Sequence, residues 1–153
     1  MISQLFPRSA DNTYHGHKPA LWLFGLVIVL RVVMSLNSVL NTHTTARYAD
    51  GIPLHTYTAA GEQAAASLFA MMGLYSFVIC LACIMVLIRY RSLVPIMFAL
   101  LLVQVLGAKL VLHFRPIVRI GTPPAIYVSL VLIALIVIGL AFSIRWKTEP
   151  APR

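Results

Sequence analysis

Two cysteines three residues apart, Cys80 and Cys83 in "CLAC", form the first pair in this 153-residue chain whose types and spacing suggest chemistry. A redox pair with that spacing draws its low thiol pKa from a helix N-terminus open to water. These two instead lie deep in an apolar run, "MMGLYSFVICLACIMVLI". Ala66, Ala70, Gly73, Ser76, Cys80 and Cys83 recur at intervals of three or four residues. On a helix that spacing makes a seam of small side chains against which a second helix packs closely. Packing is therefore the expected role of the cysteines. His43 and His113 fall at one level, at the outer ends of two apolar runs, where a pair could ligate haem or a metal. Nothing in their spacing is diagnostic of either, and both read as interfacial histidines.

The more telling residue is Arg31, in "LRVVMSLNSVLN". It lies about 16 Å along a helix from Ala20, at 1.5 Å per residue, and so near the middle of a membrane-length run. A cation at that depth costs from about 3 to above 10 kcal/mol and requires a partner or a hydrated cavity. At 100° per residue Ser35, Ser38 and Thr42 share its face, and Asn37 and Asn41 flank it. The third run carries Gln104 near mid-depth, then Lys109 and His113 a turn apart. The acids are Asp11, Asp50, Glu62 and Glu149, and none falls inside an apolar run. Arg31 must therefore be held by neutral acceptors such as Gln104, Asn37 and carbonyls, by water, or by an anion or acid from outside the chain. Arg31, Ser35, Asn37, Gln104, Lys109 and His113 are the candidate contacts for a ligand or partner. Lys109, near the outer end, is expected to snorkel; with Arg115 and Arg119 it could also form a basic mouth for anionic groups.

The elements that position these residues follow from composition. Sixty per cent of the residues are hydrophobic and 10% charged, with a mean hydropathy of +0.89. That is far from soluble globular usage and describes an integral membrane protein of one domain. Four runs approach the ~20 residues needed to cross a bilayer: about 20–42, 64–88, 93–114 and 125–144. In lipid every backbone polar group must be satisfied internally, so these are helices, and the expected fold is an all-α, up-down four-helix membrane bundle. Pro19, Pro95 and Pro124 fall before or within first turns, where a missing N–H does no harm. Residues 1–19 and 145–153 read as short tails and 43–63 as an outer loop. Arg8, Lys18, Arg89, Arg91, Arg145, Lys147 and Arg153 lie on one side, against Arg47, Arg115 and Arg119 on the other. This asymmetry places both termini in the cytoplasm. Trp22, Tyr48, Tyr57, Tyr90 and Trp146 fall at the expected interfaces. No cleavable leader is expected, because the first run is too long and lacks a small-residue cleavage site.

The net charge of +8 does not indicate nucleic-acid binding, since the basic residues sit at the ends of apolar runs and form no soluble basic face. A proton-coupled cation antiporter needs a membrane carboxylate, a two-haem cytochrome needs histidines at two depths, and a quinone-linked disulfide enzyme needs cysteine pairs at the surface. The chain offers none of these, and no zinc, P-loop or nucleophile-elbow pattern. An enzyme is not expected, nor a cofactor.

The stretch "MMGLYSFVICLACIMVLIRYRSLVPIMFALLLVQVLGAKLVLHFRPIVRIGTPP" resembles the middle of DoxX-like four-helix membrane proteins. It shares a Gly-containing second helix, a basic "RYR" hairpin, an apolar third helix ending in a basic residue, and a Gly-Thr-Pro loop. The likeness covers about a third of the chain; the first helix and "ADGIPLHTYTAAGEQ" match no pattern in it. It implies a small bacterial inner-membrane protein, in some relatives an accessory to quinone-linked oxidoreductases, and it transfers no catalytic residue. The expectation is an accessory or assembly subunit of a bacterial inner-membrane complex. It would bind lipids and other subunits, or further copies of itself, through the small-residue seam and Arg31. The alternative is a binder or conduit for a small anion, quinone or anionic lipid between the first and third helices.

Overall fold

A computed structural model describes residues 16–144 together with Asn12 and Tyr14. Arg8, Asp11, Arg145, Trp146, Lys147, Glu149 and Arg153, used above for orientation and charge, lie outside the described residues. Four long helices dominate: α1 (Lys18–Leu40), α2 (Ala59–Arg89), α3 (Val94–Phe114) and α4 (Ala125–Ile144). Each is long and apolar enough to cross a membrane, and among the described residues there is no strand. The protein is an all-α, multi-pass membrane four-helix bundle.

Local sequence sets the helix ends. Pro19 and Pro95 each sit within the first two residues of α1 and α3. Thr58 caps α2, its Oγ1 accepting from the Gly61 N–H at 3.2 Å, with Glu62 in the first turn. That cap starts α2 at Ala59, earlier than the apolar run alone indicates. At 31 residues α2 is about 46 Å long, more than the ~30 Å hydrocarbon layer, so it tilts or projects beyond it.

The bundle has two unlike ends. At the hairpin end, the turn at Arg91–Leu93 joins α2 to α3, and the His17 N–H donates to Phe142 O at 3.4 Å, placing the start of α1 beside the end of α4. At the loop end, residues 42–58 form short helical turns that meet the α3–α4 connection, where the Ile120 N–H donates to Gly51 O at 2.9 Å. Gly51 has φ +69°, and a Cβ there would lie 3.1 Å from Ile120 O, so glycine suits both the turn and the close approach. Burial holds the Asp50 carboxyl above its ordinary range, offset in part by the nearby Arg119 charge.

Packing is most extensive between α1 and α2, followed by α1 with α4 and α3 with α4; α2 and α3 touch little beyond their hairpin. The order around the bundle is therefore α2, α1, α4, α3. Phe24, Val27, Ile28, Cys83, Val86, Val94, Phe98, Leu101, Leu132 and Ile136 make one core, and it fills the hairpin half. The Phe24 and Phe98 rings meet edge to face with centroids 4.9 Å apart. A Cβ added at Gly139 would overlap the Phe98 ring. Toward the loop end the core thins. Leu101 is the last buried residue of α3, and a Cβ at Gly107 would touch nothing.

Candidate functional site

Arg31 is 7% exposed, at mid-length of α1. Its Nη2 donates to Gln104 Oε1 at 2.7 Å, joining α1 to α3 across the bundle. A charged donor on a neutral acceptor at that distance is a strong hydrogen bond. It is also the one side-chain partner of the guanidinium among the described residues, although an arginine has five N–H donors. Asp50 and Glu62 both lie toward the loop end, away from this depth, Asp50 in the loop and Glu62 in the first turn of α2. Glu62 faces His43, with Nδ1 to Oε1 at 3.4 Å. The acid that comes nearest in sequence to the membrane thus lies at the loop end, beside His43.

The polar stripe of α1 resolves differently from Arg31. Ser35 is buried, but its hydroxyl donates to Arg31 O at 2.6 Å; Ser38 donates to Met34 O at 3.0 Å and Thr42 to Ser38 O at 2.9 Å. These hydroxyls satisfy carbonyls of their own helix, as serine and threonine do when no outside partner is present. Asn37 is exposed and accepts from Asn41 Nδ2 at 3.2 Å. Of the polar residues along α1, Arg31 alone reaches across to another long helix through a hydrogen bond.

Lys109 does not snorkel to the surface alone. Its Nζ donates to Ser129 Oγ on α4 at 3.0 Å, and that hydroxyl donates to Ile126 O at 2.8 Å. Ser129 was not among the expected site residues; it is one of three hydroxyl-bearing residues of the apolar α4, with Tyr127 and Ser143, and nothing in its spacing singles it out. His113 is exposed and packs edge-on against Phe114, with centroids 5.6 Å apart. The residues singled out on α3 therefore separate into three: Gln104 on Arg31, Lys109 on α4, and His113 outward.

No family model, curated protein or solved structure matches this chain.

The small-residue seam lies where its spacing puts it, but its partner is internal. Ala66, Gly73, Cys80 and Cys83 are buried, and Ala70 is half-buried. A Cβ at Gly73 would fall 2.7 Å from Ser38 Cβ and 3.2 Å from Ser35 O. The chain's own α1 therefore occupies the seam, with the backbones drawn together where Gly73 has no side chain. Both cysteines are free thiols. Among the described residues no group of three or more His, Cys, Asp or Glu side chains could hold a metal. What the arrangement offers chemically is one buried cation with spare donors, reached from α3.

Proposed function

We propose that this chain is a non-enzymatic accessory or assembly subunit of a bacterial inner-membrane complex, oriented with both termini in the cytoplasm. The observation that carries the reading is Arg31, an intramembrane cation with a single neutral side-chain acceptor and no carboxylate at its depth among the described residues. A charge retained at mid-bilayer marks a functional contact and calls for a counter-charge. The surface available to the partner is not the seam, which α1 fills, but the loop-end half of α3. There Val103 and Val111 are exposed and Gly107 leaves open space. A partner helix with a mid-membrane Asp or Glu, from another subunit or a second copy, would complete the donor set of Arg31. The DoxX-like resemblance, with its accessory roles in some relatives, agrees with this reading.

The second reading is a binder of a small anion, quinone or anionic lipid between α1 and α3. It is favoured by the meeting of Arg31 and Gln104 across those two helices. Gentle-detergent purification followed by a mass-spectrometric inventory of bound proteins, lipids and quinones separates the two. The expected result is a stoichiometric integral-membrane partner, present with wild type and lost with Arg31→Leu. A wild-type monomer with no protein partner overturns the subunit reading, and an Arg31-dependent small molecule in its place establishes the second.

A further inference from the structure

Away from the bundle interior, an open groove of about 880 Å³ runs along the outside of the α1–α2 pair at the hairpin end. Trp22, Gly25, Val29, Val33 and Leu87 are among its lining residues, and Arg91 is the only one with a polar or charged side-chain group apart from the Trp22 indole. From Leu21 to Val33 the groove follows about 18 Å of helix at 1.5 Å per residue. Half of a ~30 Å hydrocarbon layer is about 15 Å, so the groove has the depth of one leaflet. Its mouth is marked by Trp22, 83% exposed, at the level where an indole meets head groups. The floor is Gly25, where an added Cβ would meet only Leu87 Cδ2, at 3.9 Å. Arg91 is exposed at the mouth; its Nε donates to Leu87 O at 3.2 Å, which fixes the stem, and its terminal nitrogens have no hydrogen-bond partner among the described residues.

We propose that this groove binds one anionic phospholipid of the leaflet at the hairpin end, with its phosphate on Arg91 and an acyl chain laid over Gly25. Length and charge select that occupant. A partner helix would need a track across the whole bilayer, whereas here the track stops near mid-depth; further along, α1 and α2 close on each other at Gly73 and Ser38. A single cation at the head of an apolar slot complements a phosphate, and basic residues near a membrane surface attract anionic lipid by about 1 kcal/mol each.

The test is native mass spectrometry of delipidated full-length protein offered equimolar phosphatidylglycerol and phosphatidylcholine. Wild type is expected to retain the anionic lipid about fivefold over the zwitterionic one, the factor that ~1 kcal/mol gives. Arg91→Gln should abolish the preference, while Arg91→Lys, Arg89→Gln and Arg31→Leu should keep it; persistence through Arg31→Leu separates this groove from any site in the bundle interior. Gly25→Phe should lower retention of both lipids by filling the slot, in a helix that gains from losing a glycine. Equal retention of the two lipids by wild type, an undiminished preference in Arg91→Gln, or unchanged occupancy in folded Gly25→Phe would overturn the proposal.

Discussion

Replacing the two partners of the buried hydrogen bond, separately and together, gives effects that differ in sign. Arg31→Leu removes a charged hydrogen bond to Gln104, worth about 1.5–3 kcal/mol. It also removes the cost of holding a guanidinium 7% exposed at mid-bundle, at least ~3 kcal/mol by the lower insertion scales. The two nearly cancel, and the isolated four-helix unit should fold as well as wild type or slightly better. Gln104→Leu is the opposite case. It leaves the cation buried and takes away its acceptor, which costs about 3 kcal/mol or more. The double variant should therefore be more stable than Gln104→Leu alone by about 2 kcal/mol, since the second change removes the stranded charge. Reversible unfolding in mixed detergent micelles, run as a double-mutant cycle, measures all three. If Gln104→Leu is no worse than Arg31→Leu, or the double variant is no better than Gln104→Leu, the bond does not hold the charge. Assembly is read separately. Should Arg31 meet a partner's acid, Arg31→Leu strands that acid and weakens the complex by several kcal/mol, a factor of a hundred or more in affinity. Arg31→Lys restores the charge without the planar fork and should rescue in part.

Three further outcomes are expected. Gly73→Leu should destabilise the folded unit itself by about 1–3 kcal/mol, because its side chain must enter space held by Ser38 and Ser35 O; wild-type unfolding would show that α1 is not seated on the seam. At the loop end, the raised pKa of Asp50 means that the folded state binds its proton more readily than the unfolded chain. Stability linked to that proton is present below the ordinary carboxylate range and lost as pH rises through the raised value. Asp50→Asn should thus be more stable than wild type at neutral pH, with the gap closing as pH falls; a gap independent of pH would refute the burial of that carboxyl. For orientation, Thr56→Cys should react with an impermeant thiol reagent in intact cells and Ser92→Cys should not, over a low background because Cys80 and Cys83 are buried; the reverse pattern would invert the topology.

The four spans were legible because hydrocarbon leaves the backbone no alternative to helices over runs of that length. Their ends were less so. The polar letters of "TYTAAGEQ" read as loop, whereas Thr58 caps a helix that already contains Glu62; the capping residue was the signal, outweighed by hydropathy. Small-residue spacing located the seam on α2 but could not say which helix would fill it, since the spacing describes how close an approach can be and not whose. Gln104 was foreseeable as an acceptor for Arg31 because both lie at mid-depth. The link from Lys109 to Ser129 depends on how α3 is rotated against α4, and an almost wholly apolar pair of helices records no rotation in its periodicity. The same limit explains why Asn37 is exposed: it lay on the flank of the stripe, and the stripe's own hydroxyls turn back to their helix.

The uneven core gives the bundle something close to the mechanics of a spring clip. One end is clamped by interlocked aromatic and branched side chains; the other is held by the loops, through such ties as the Ile120 to Gly51 hydrogen bond. Between these anchors α3 is held less by packing than by two side-chain bonds, Arg31 to Gln104 and Lys109 to Ser129, since past Leu101 it buries no side chain. Opening there would break both bonds and strand the Arg31 cation, so those two bonds set its cost. The jaw of the clip lies beside Arg31, so the thinly packed half of the molecule is kept shut by the bond to its own buried charge.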